Sequence, residues 1–409
     1  MRLLPEPGPS RTLALSTLVN TVGRGTWLTA SALFLTRSVG LSVAQVGVAL
    51  TLTALVSLVA STPMGYLADR LGPRGLQMAA LLASAACTVA LVTVRSFSGF
   101  LVVGMLMAVA DAGTRGARGA LIAGAVPPDQ RVRTRAYLRA VTNVGISVGT
   151  VLAGFALAAD TRGAYVTLIL LDAATYVLAA AVLLRLPPVP PMPAPAHGPR
   201  LIALRDRPFL AFTVLDGLMS MHFSLINIAL PLWIAGHTTA PNWLISVCLL
   251  VNTVVVILFQ VRASRGTEDL TGAGRAARRA GVLLAAACAL FAAGGGGVPV
   301  AVAVPLLLAG ALVHVVGELW HAAAGWGISF GLAPAHAHGQ YQGAYGMGMQ
   351  LGSMVAPVVV TTLAIGWGVP GWLVLGVVFL LLGTLVPPVV RWAARTRPPA
   401  PEPVPAAAG

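Results

Sequence analysis

Apolar residues in this chain are grouped into long stretches separated by short polar breaks. About 20 apolar residues are needed for a helix to cross the hydrocarbon core of a bilayer. The apolar residues follow one another without the period-two alternation of a barrel strand, so the pattern predicts membrane-spanning helices. Breaks at Arg, Pro and Gly clusters delimit twelve spans: 13–35, 43–66, 75–94, 100–122, 137–158, 165–184, 209–234, 243–261, 281–296, 300–330, 341–365 and 371–390.

Composition supports lipid as the main solvent. The 409-residue chain is 57% hydrophobic and 9% charged, against roughly 45–50% apolar residues in a soluble domain. The net charge of +14 does not indicate a nucleic-acid partner, because the arginines punctuate apolar runs. Cys87, Cys248 and Cys288 lie inside apolar runs without paired spacing, which predicts neither disulfides nor a metal site. No cleaved signal peptide is expected.

The chain divides into two related parts. A Pro-rich stretch separates the sixth span from the seventh and is typical of an extended linker. The pattern Gly145-x3-Gly149 of the fifth span recurs as Gly348-x3-Gly352 in the eleventh, which indicates an internal repeat. We therefore predict an all-α membrane protein with a six-helix half at 1–185, a cytoplasmic linker at 186–207, a second six-helix half at 208–392 and a disordered cytoplasmic tail at 393–409.

The distribution of arginine predicts the orientation in the membrane. Short loops rich in Arg stay in the cytoplasm. With the N-terminus inside, most arginines fall on the cytoplasmic side, and only Arg37, Arg95 and Arg162 fall outside. We expect a multi-pass protein of the cell (inner or plasma) membrane with both termini in the cytoplasm.

The connection between the second and third spans carries the sharpest motif. Residues 65–74 read GYLADRLGPR, which resembles the signature loop Gly-x-Leu-Ala-Asp-Arg-x-Gly-Arg of the major facilitator superfamily. The resemblance implies two six-helix halves around a central cavity. It also implies that the loop controls the switch between inward-open and outward-open states through Gly65, Asp69, Arg70, Gly72 and Arg74.

Two further elements resemble drug/proton antiporters of the same superfamily in part. Arg115-x-x-Arg118-Gly119 is similar to their Arg-x-x-Gln-Gly element, with Arg118 in place of Gln. Thr150 stands where their glycine-rich motif in the fifth span has Pro. The glycines of the fifth span and their counterparts in the second half can therefore also serve helix packing. These residues are Gly145, Gly149, Gly154, Gly348, Gly352 and Pro357.

Charged residues inside spans are costly, at about 2.5–3.5 kcal/mol each near the bilayer centre. Most of those here fall on spans one, four, seven and ten, the helices that line the cavity in the resembled family. We expect the substrate cavity to include Asn20, Arg24, Trp27, Arg115, His222, His314 and Trp320. Arg118 and Arg139 are expected to reach the cytoplasmic interface, and Asp172 to form a structural hydrogen bond.

Spacing groups the ionisable residues into two stripes. Asp111, Arg115 and Arg118 share one face of span four, and His314, Glu318 and His321 repeat that spacing on span ten. Glu318 is the first candidate for proton coupling because its own span has no Arg; Asp111 and Asp216 follow. Open alternatives are a local Asp111–Arg115 ion pair, a Glu318 permanently hydrogen-bonded to one His, a packing role for His222, and interfacial tryptophans.

These observations predict a transporter rather than an enzyme, driven by an ion gradient because the chain has no P-loop and no Lys. Our hypothesis is proton-coupled efflux of a small organic molecule by a monomer, with the bilayer, the substrate and protons as partners and no cofactor, metal or nucleic acid. Alternatives are a proton symporter importing a nutrient or anionic metabolite, and an intramembrane enzyme using the His and Glu of span ten. His336 and His338 suggest a metal only weakly.

Overall fold

The computed structural model describes residue 5 and residues 7–159, 161–192 and 201–397. Helices dominate this part of the chain, and no strand occurs in it. Counting the interrupted stretch Arg207–His237 as one span, twelve long helices follow one another: α1 Pro9–Leu33, α2 Val43–Leu71, α3 Pro73–Leu91, α4 Phe97–Ala125, α5 Arg131–Ala159, α6 Arg162–Leu183, α7 Arg207–His237, α8 Trp243–Ala263, α9 Leu270–Ala293, α10 Val300–Gly331, α11 His338–Thr361 and α12 Val369–Arg395.

Eleven of these helices are long and apolar enough to cross a membrane by length and composition. The exception among the described helices is α1, which carries Asn20 and Arg24 together with several Ser and Thr residues. The all-helical membrane architecture predicted from the sequence is therefore confirmed. Hydropathy alone misses α1 because its polar residues lower the average over the span.

The predicted bounds of α9 differ most from the structure. Helix α9 begins at Leu270, before the expected start at 281, and ends at Ala293, ahead of a turn in which Gly296 and Gly297 have φ values of 70° and 79°. The sequence prediction took the arginines in the first turns of α9 as a break between spans. Arg275 is exposed in the structure, so its charge is compatible with a helix at this position. Helix α12 also continues past 392. Residues 193–200 of the linker and the tail from 398 lie outside the described residues.

Side-chain caps fix several helix starts. Ser42 and Gln45 form a capping box at the start of α2, with Ser42 Oγ accepting from the Gln45 amide at 3.2 Å. Asp206 and Asp269 accept from backbone amides in the first turns of α7 and α9. Gly72, at φ 89°, makes the one-residue turn between α2 and α3.

Glycines bring helices within each part of the bundle into backbone contact. A Cβ atom on Gly145 or Gly149 of α5 would overlap α1, and one on Gly348 or Gly352 of α11 would overlap α7. The fifth and eleventh spans thus make equivalent contacts with the first and seventh. Gly154 differs: no heavy atom of the described residues lies within 4 Å of a Cβ built there, so it takes no part in this packing. Pro357 lies inside α11.

The first six helices meet the last six along α2–α11, α4–α11 and α5–α8. The α2–α11 contacts join the end of α2 to the start of α11, where Gly343 packs on Ser61 and Gly339 packs on Gly65. We call this the closed end of the bundle.

Candidate functional site

A chain of buried ionisable side chains runs between α7 and α10. Asp216 Oδ1 lies 3.2 Å from His321 Nε2, and His321 Nδ1 lies 3.0 Å from His222 Nε2. His222 Nδ1 lies 3.3 Å from His314 Nε2. All four side chains are buried. With Glu318, which faces His314, these residues form what we call the histidine chain.

Helix irregularity places His222 between the two histidines of α10. The regular part of α7 ends at Met219, and the helix resumes with a short turn at His222–Ser224 followed by a π-helical turn at Leu225–Ala229. Such turns are frequent at functional sites. The interruption leaves the His222 carbonyl oxygen 3.0 Å from His314 Nε2, which therefore donates to it. In that tautomer His314 Nδ1 is an acceptor.

Glu318 connects the histidine chain to helices α5 and α8. Its Oε1 accepts from Arg139 Nη2 at 2.5 Å, and its Oε2 accepts from Asn252 Nδ2 at 2.8 Å. Arg139 also lies over the Phe223 ring, 5.2 Å from its centroid. The expectation that Arg139 simply reaches the interface is wrong, because its guanidinium pairs across the bundle. Charge-assisted bonds of this kind are about twice as strong as neutral ones.

His314 does not hold Glu318 in a permanent hydrogen bond. Its Nδ1 lies 3.8 Å from Glu318 Oε2, beyond hydrogen-bond distance, and has no partner among the described residues. Two acceptors, a nitrogen lone pair and a carboxylate oxygen, therefore face each other. One added proton would turn this pair into donor and acceptor.

The same residues are spaced closely enough to hold a metal ion. His222, His314 and Glu318 can each place one ligand atom within 4.8 Å of the others, and imidazole with carboxylate suits Zn²⁺. Both Glu318 oxygens, however, already accept from Arg139 and Asn252. A cation would have to displace the Arg139 guanidinium from Glu318.

The predicted cavity residues of the first six helices form a second polar group. Arg115 Nη2 donates to Ser57 Oγ at 2.5 Å, and none of the ion pairs found among the described residues includes Asp111. The expected hydrogen bond of Asp172 is wrong: both carboxylate oxygens are buried without a partner in the described ranges. Asn20 Nδ2 and Arg118 Nε are likewise buried without one.

The two predicted cavity tryptophans lie on α10 and α1. Trp320 packs against α9, with the Arg279 guanidinium 5.4 Å from its ring centroid. Trp27 packs among apolar residues around Phe34 near the end of α1. Sequence reasoning missed Asn252, whose only signal was a polar residue in the middle of span eight.

The signature loop joins the closed end. Asp69 Oδ1 accepts from the Gly339 amide at 2.7 Å, and Oδ2 accepts from the Gln340 amide at 3.0 Å, so the carboxylate caps the start of α11. Arg70 donates to the Met192 carbonyl at 2.7 Å. Arg74 donates to two carbonyls at the end of α6. The loop therefore holds together α2, α6, α11 and the first residues of the linker.

A further bond strengthens this end. Arg135 of α5 donates to Gln342 Oε1 at 2.8 Å, and Gln342 donates in turn to Ser329 Oγ of α10 at 3.2 Å. A Cβ on Gly119 of α4 would meet the Gln342 side chain. Residues of α4, α5, α10 and α11 thus interlock next to the Asp69 cap.

Comparisons with known proteins agree with this architecture. Residues 13–313 match the sequence profile of the Major Facilitator Superfamily. A candidate sugar efflux transporter of Deinococcus radiodurans is 30% identical over 259 residues, which cover 59% of this chain and 65% of that protein, just under two thirds of its length.

Solved structures show the same fold. The human organic anion transporter MFSD10 (TETRAN) superposes with a TM-score of 0.69 at 18% identity, covering 93% of this chain and 99% of that one. A bacterial homologue of the iron transporter ferroportin, in its outward-facing state, superposes with a TM-score of 0.69 at 16% identity. The superposition covers 95% of this chain and 99% of that one. The profile match confirms the resemblance noted in the signature loop and argues against the alternative of an intramembrane enzyme. The chain is a membrane transporter that belongs to the major facilitator superfamily.

Proposed function

We propose that this protein is a proton-coupled secondary transporter that exports a small organic molecule by alternating access. The observation that carries the proposal is the Arg139–Glu318 ion pair, which joins the first six helices to the last six beside an unpartnered nitrogen of His314. The relative from Deinococcus radiodurans, named for sugar efflux, supports the outward direction. The division into halves at 1–185 and 208–392, with the linker between them, belongs to the same proposal.

The closed end fits the cytoplasmic side. The positive-inside rule supports a cytoplasmic position for the α2–α3 loop and the start of α11. Asp69, Arg135 and Arg139 all bridge the two sets of six helices through contacts on α10 and α11. The described conformation then corresponds to the outward-facing state of the cycle, with both termini inside.

A proton on Glu318 would weaken this closure. The neutral carboxyl loses its ion pair with Arg139. The loss stays below the value of about 3–5 kcal/mol for a stranded buried charge, because the Arg139 side chain is partly exposed. A shift from 1:99 to 99:1 between two states takes about 5.5 kcal/mol. Protonation can therefore supply part of this free energy, and the substrate supplies the remainder. We propose that the histidine chain relays protons to and from Glu318, and that Asp111, half-buried on α4, is the second carboxyl for coupling.

Opening of the closed end can be measured directly. Spin labels at Leu71 and Ala335, both exposed at that end, report its width in a background with the three cysteines replaced by Ala. We expect the distance to lengthen as the pH falls in the wild type, and to be long at every pH in Glu318→Gln. Glu268→Gln, in an exposed loop, is the matched control. A Glu318→Gln protein with the wild-type pH response removes Glu318 from the mechanism.

Transport direction separates export from the import alternative. In inside-out vesicles with an acidic lumen, an exporter accumulates substrate, and a panel of radiolabelled sugars is the first probe set suggested by the relative's name. A symporter accumulates the same compound only in right-side-out vesicles with acid outside. Arg24, Arg115 and Arg118 take part in none of the ion pairs found among the described residues, and this favours an anion as cargo in either direction.

A further inference from the structure

The interior of the first six helices contains more guanidinium groups than the nearby acids neutralise. Arg24, Arg115 and Arg118 lie close enough for their charges to interact, and Asp111 also acts on Arg115 and Arg118. Arg115 donates to a neutral hydroxyl, that of Ser57. Arg118 Nε is buried and has no partner in the part of the chain that the structure describes. Unpaired charge inside a bundle is costly unless a ligand or water completes it.

Two donors on α1 face the same region. Arg24 is exposed in the middle of a helix that crosses the membrane, where a lipid-facing charge is not tolerated. Its exposed surface must therefore belong to an aqueous vestibule. Asn20 lies one helical turn earlier, on the same face, and its buried Nδ2 has no partner among the described residues.

The available carboxylates do not satisfy these donors. Asp172 is fully buried on α6 behind the backbone of Gly23, and its oxygens accept no hydrogen bond from the residues that are described. Asp111 is half-buried on α4 and takes part in none of the ion pairs found among the described residues. The three guanidinium groups outnumber the two carboxylates, so this part of the bundle interior carries a net positive charge.

We propose that Arg24, Arg115 and Arg118, with the Asn20 amide, bind the carboxylate or phosphate group of an organic anion, which is the transported substrate. The proposal rests on the transport function above and names its substrate class. Guanidinium groups bind both anions with two parallel hydrogen bonds, and a positive vestibule concentrates anions at its mouth. The anionic group supplies the partner that Arg118 lacks.

Equilibrium binding to the purified full-length protein tests this assignment. Thermal unfolding is followed in detergent at constant ionic strength while D-glucuronate, D-glucose 6-phosphate or benzoate is added, with D-glucose as the neutral counterpart. A ligand that binds only the folded state raises the Tm in proportion to its saturation. We expect at least one anion to raise the Tm and D-glucose to leave it unchanged.

Variants locate the site. Arg118→Gln and Arg24→Gln should each weaken the apparent affinity for the effective anion about tenfold or more, because each removes a charge-assisted bond. Arg275→Gln, exposed at the start of α9, should keep the wild-type affinity. If Arg118→Gln does not fold, Arg24→Gln, at an exposed side chain, decides the question.

Three outcomes overturn the assignment: no anion raises the Tm, D-glucose raises it equally, or both variants bind with wild-type affinity. The measurement needs no proton gradient. It can therefore succeed while the pH-dependent opening fails, or fail while the opening is observed, so the two proposals are tested separately.

Discussion

Gly65 of α2 and Gly339 of α11 pack backbone against backbone, so that a Cβ atom on either would overlap the carbonyl oxygen of the other. This approach brings the amides of Gly339 and Gln340 within reach of the Asp69 carboxylate, at 2.7 Å and 3.0 Å. Gly65 and Asp69 of the signature loop thus both contact the start of α11.

Gly339→Ala should destabilise the closed end. Overpacking costs about 1–3 kcal/mol, and every 1.4 kcal/mol changes the ratio of closed to open molecules tenfold. The spin-label distance between Leu71 and Ala335 should therefore lengthen. Gly346→Ala, on the same helix with open space around it in the described structure, is the control and should leave the distance unchanged. Equal distances in both variants would show that the glycine contact does not set the equilibrium.

The linker is attached to the signature loop by Met192. Its amide donates to the Asp69 carbonyl at 2.8 Å, and its carbonyl accepts from Arg70 at 2.7 Å. Arg70→Gln shortens the donor and removes the charge, so the Met192 amide should exchange with deuterium about tenfold faster, as expected for a loss of about 1.5 kcal/mol. Arg275→Gln should leave that exchange rate as it is. An unchanged rate in Arg70→Gln would mean that the Asp69 carbonyl alone holds the linker.

Asp206 joins three segments at the end of the linker. Its Oδ2 accepts from Tyr341 Oη and from Arg397 Nη2, each at 2.6 Å, and its Oδ1 accepts from the Phe209 amide at 3.0 Å. Asp206→Ala should lower the free energy of unfolding by about 2 kcal/mol, the sum of a lost cap and two partly exposed bonds.

Asp206→Asn separates these contributions. Asn keeps an acceptor for the Phe209 amide and loses the ion pair with Arg397, so it should be destabilised by roughly half as much as Asp206→Ala. Asp129→Ala, exposed between α4 and α5, controls for the loss of any acidic residue. Denaturant unfolding in detergent gives the three values, and equal losses in the Asn and Ala variants would assign the effect to the charge alone.

The sequence predicted the helical membrane architecture because apolar runs of membrane length report directly on the solvent. It predicted Glu318 and the histidines of α10 as one stripe because i, i+4 and i+7 positions share a helix face. It did not reveal that Arg139 and Asn252 bind Glu318, since these contacts join helices far apart in sequence and depend on tertiary packing. Nor did it place Trp320 against Arg279, because helix rotation follows from neighbours rather than from hydropathy.

The Arg139–Glu318 pair should show an asymmetric double-mutant cycle. Glu318 is almost fully buried, with 4% of its side chain exposed, whereas 18% of the Arg139 side chain is exposed. Arg139→Ala strands a carboxylate in a dry setting and should cost about 3–5 kcal/mol. Glu318→Gln should cost less, because Arg139 can turn its charge toward the vestibule and Gln can still accept from Asn252.

The combination Arg139→Ala with Glu318→Gln contains neither charge, so it should recover part of the stability that Arg139→Ala loses. A coupling energy of about 1 kcal/mol or more, measured by denaturant unfolding, is the expected result for residues in direct contact. Glu268→Gln combined with Arg139→Ala should recover nothing, because Glu268 lies in an exposed loop. If the two double variants were equally unstable, Arg139 would act through packing on Phe223 rather than through the ion pair, and proton uptake at Glu318 could not open the closed end by releasing Arg139.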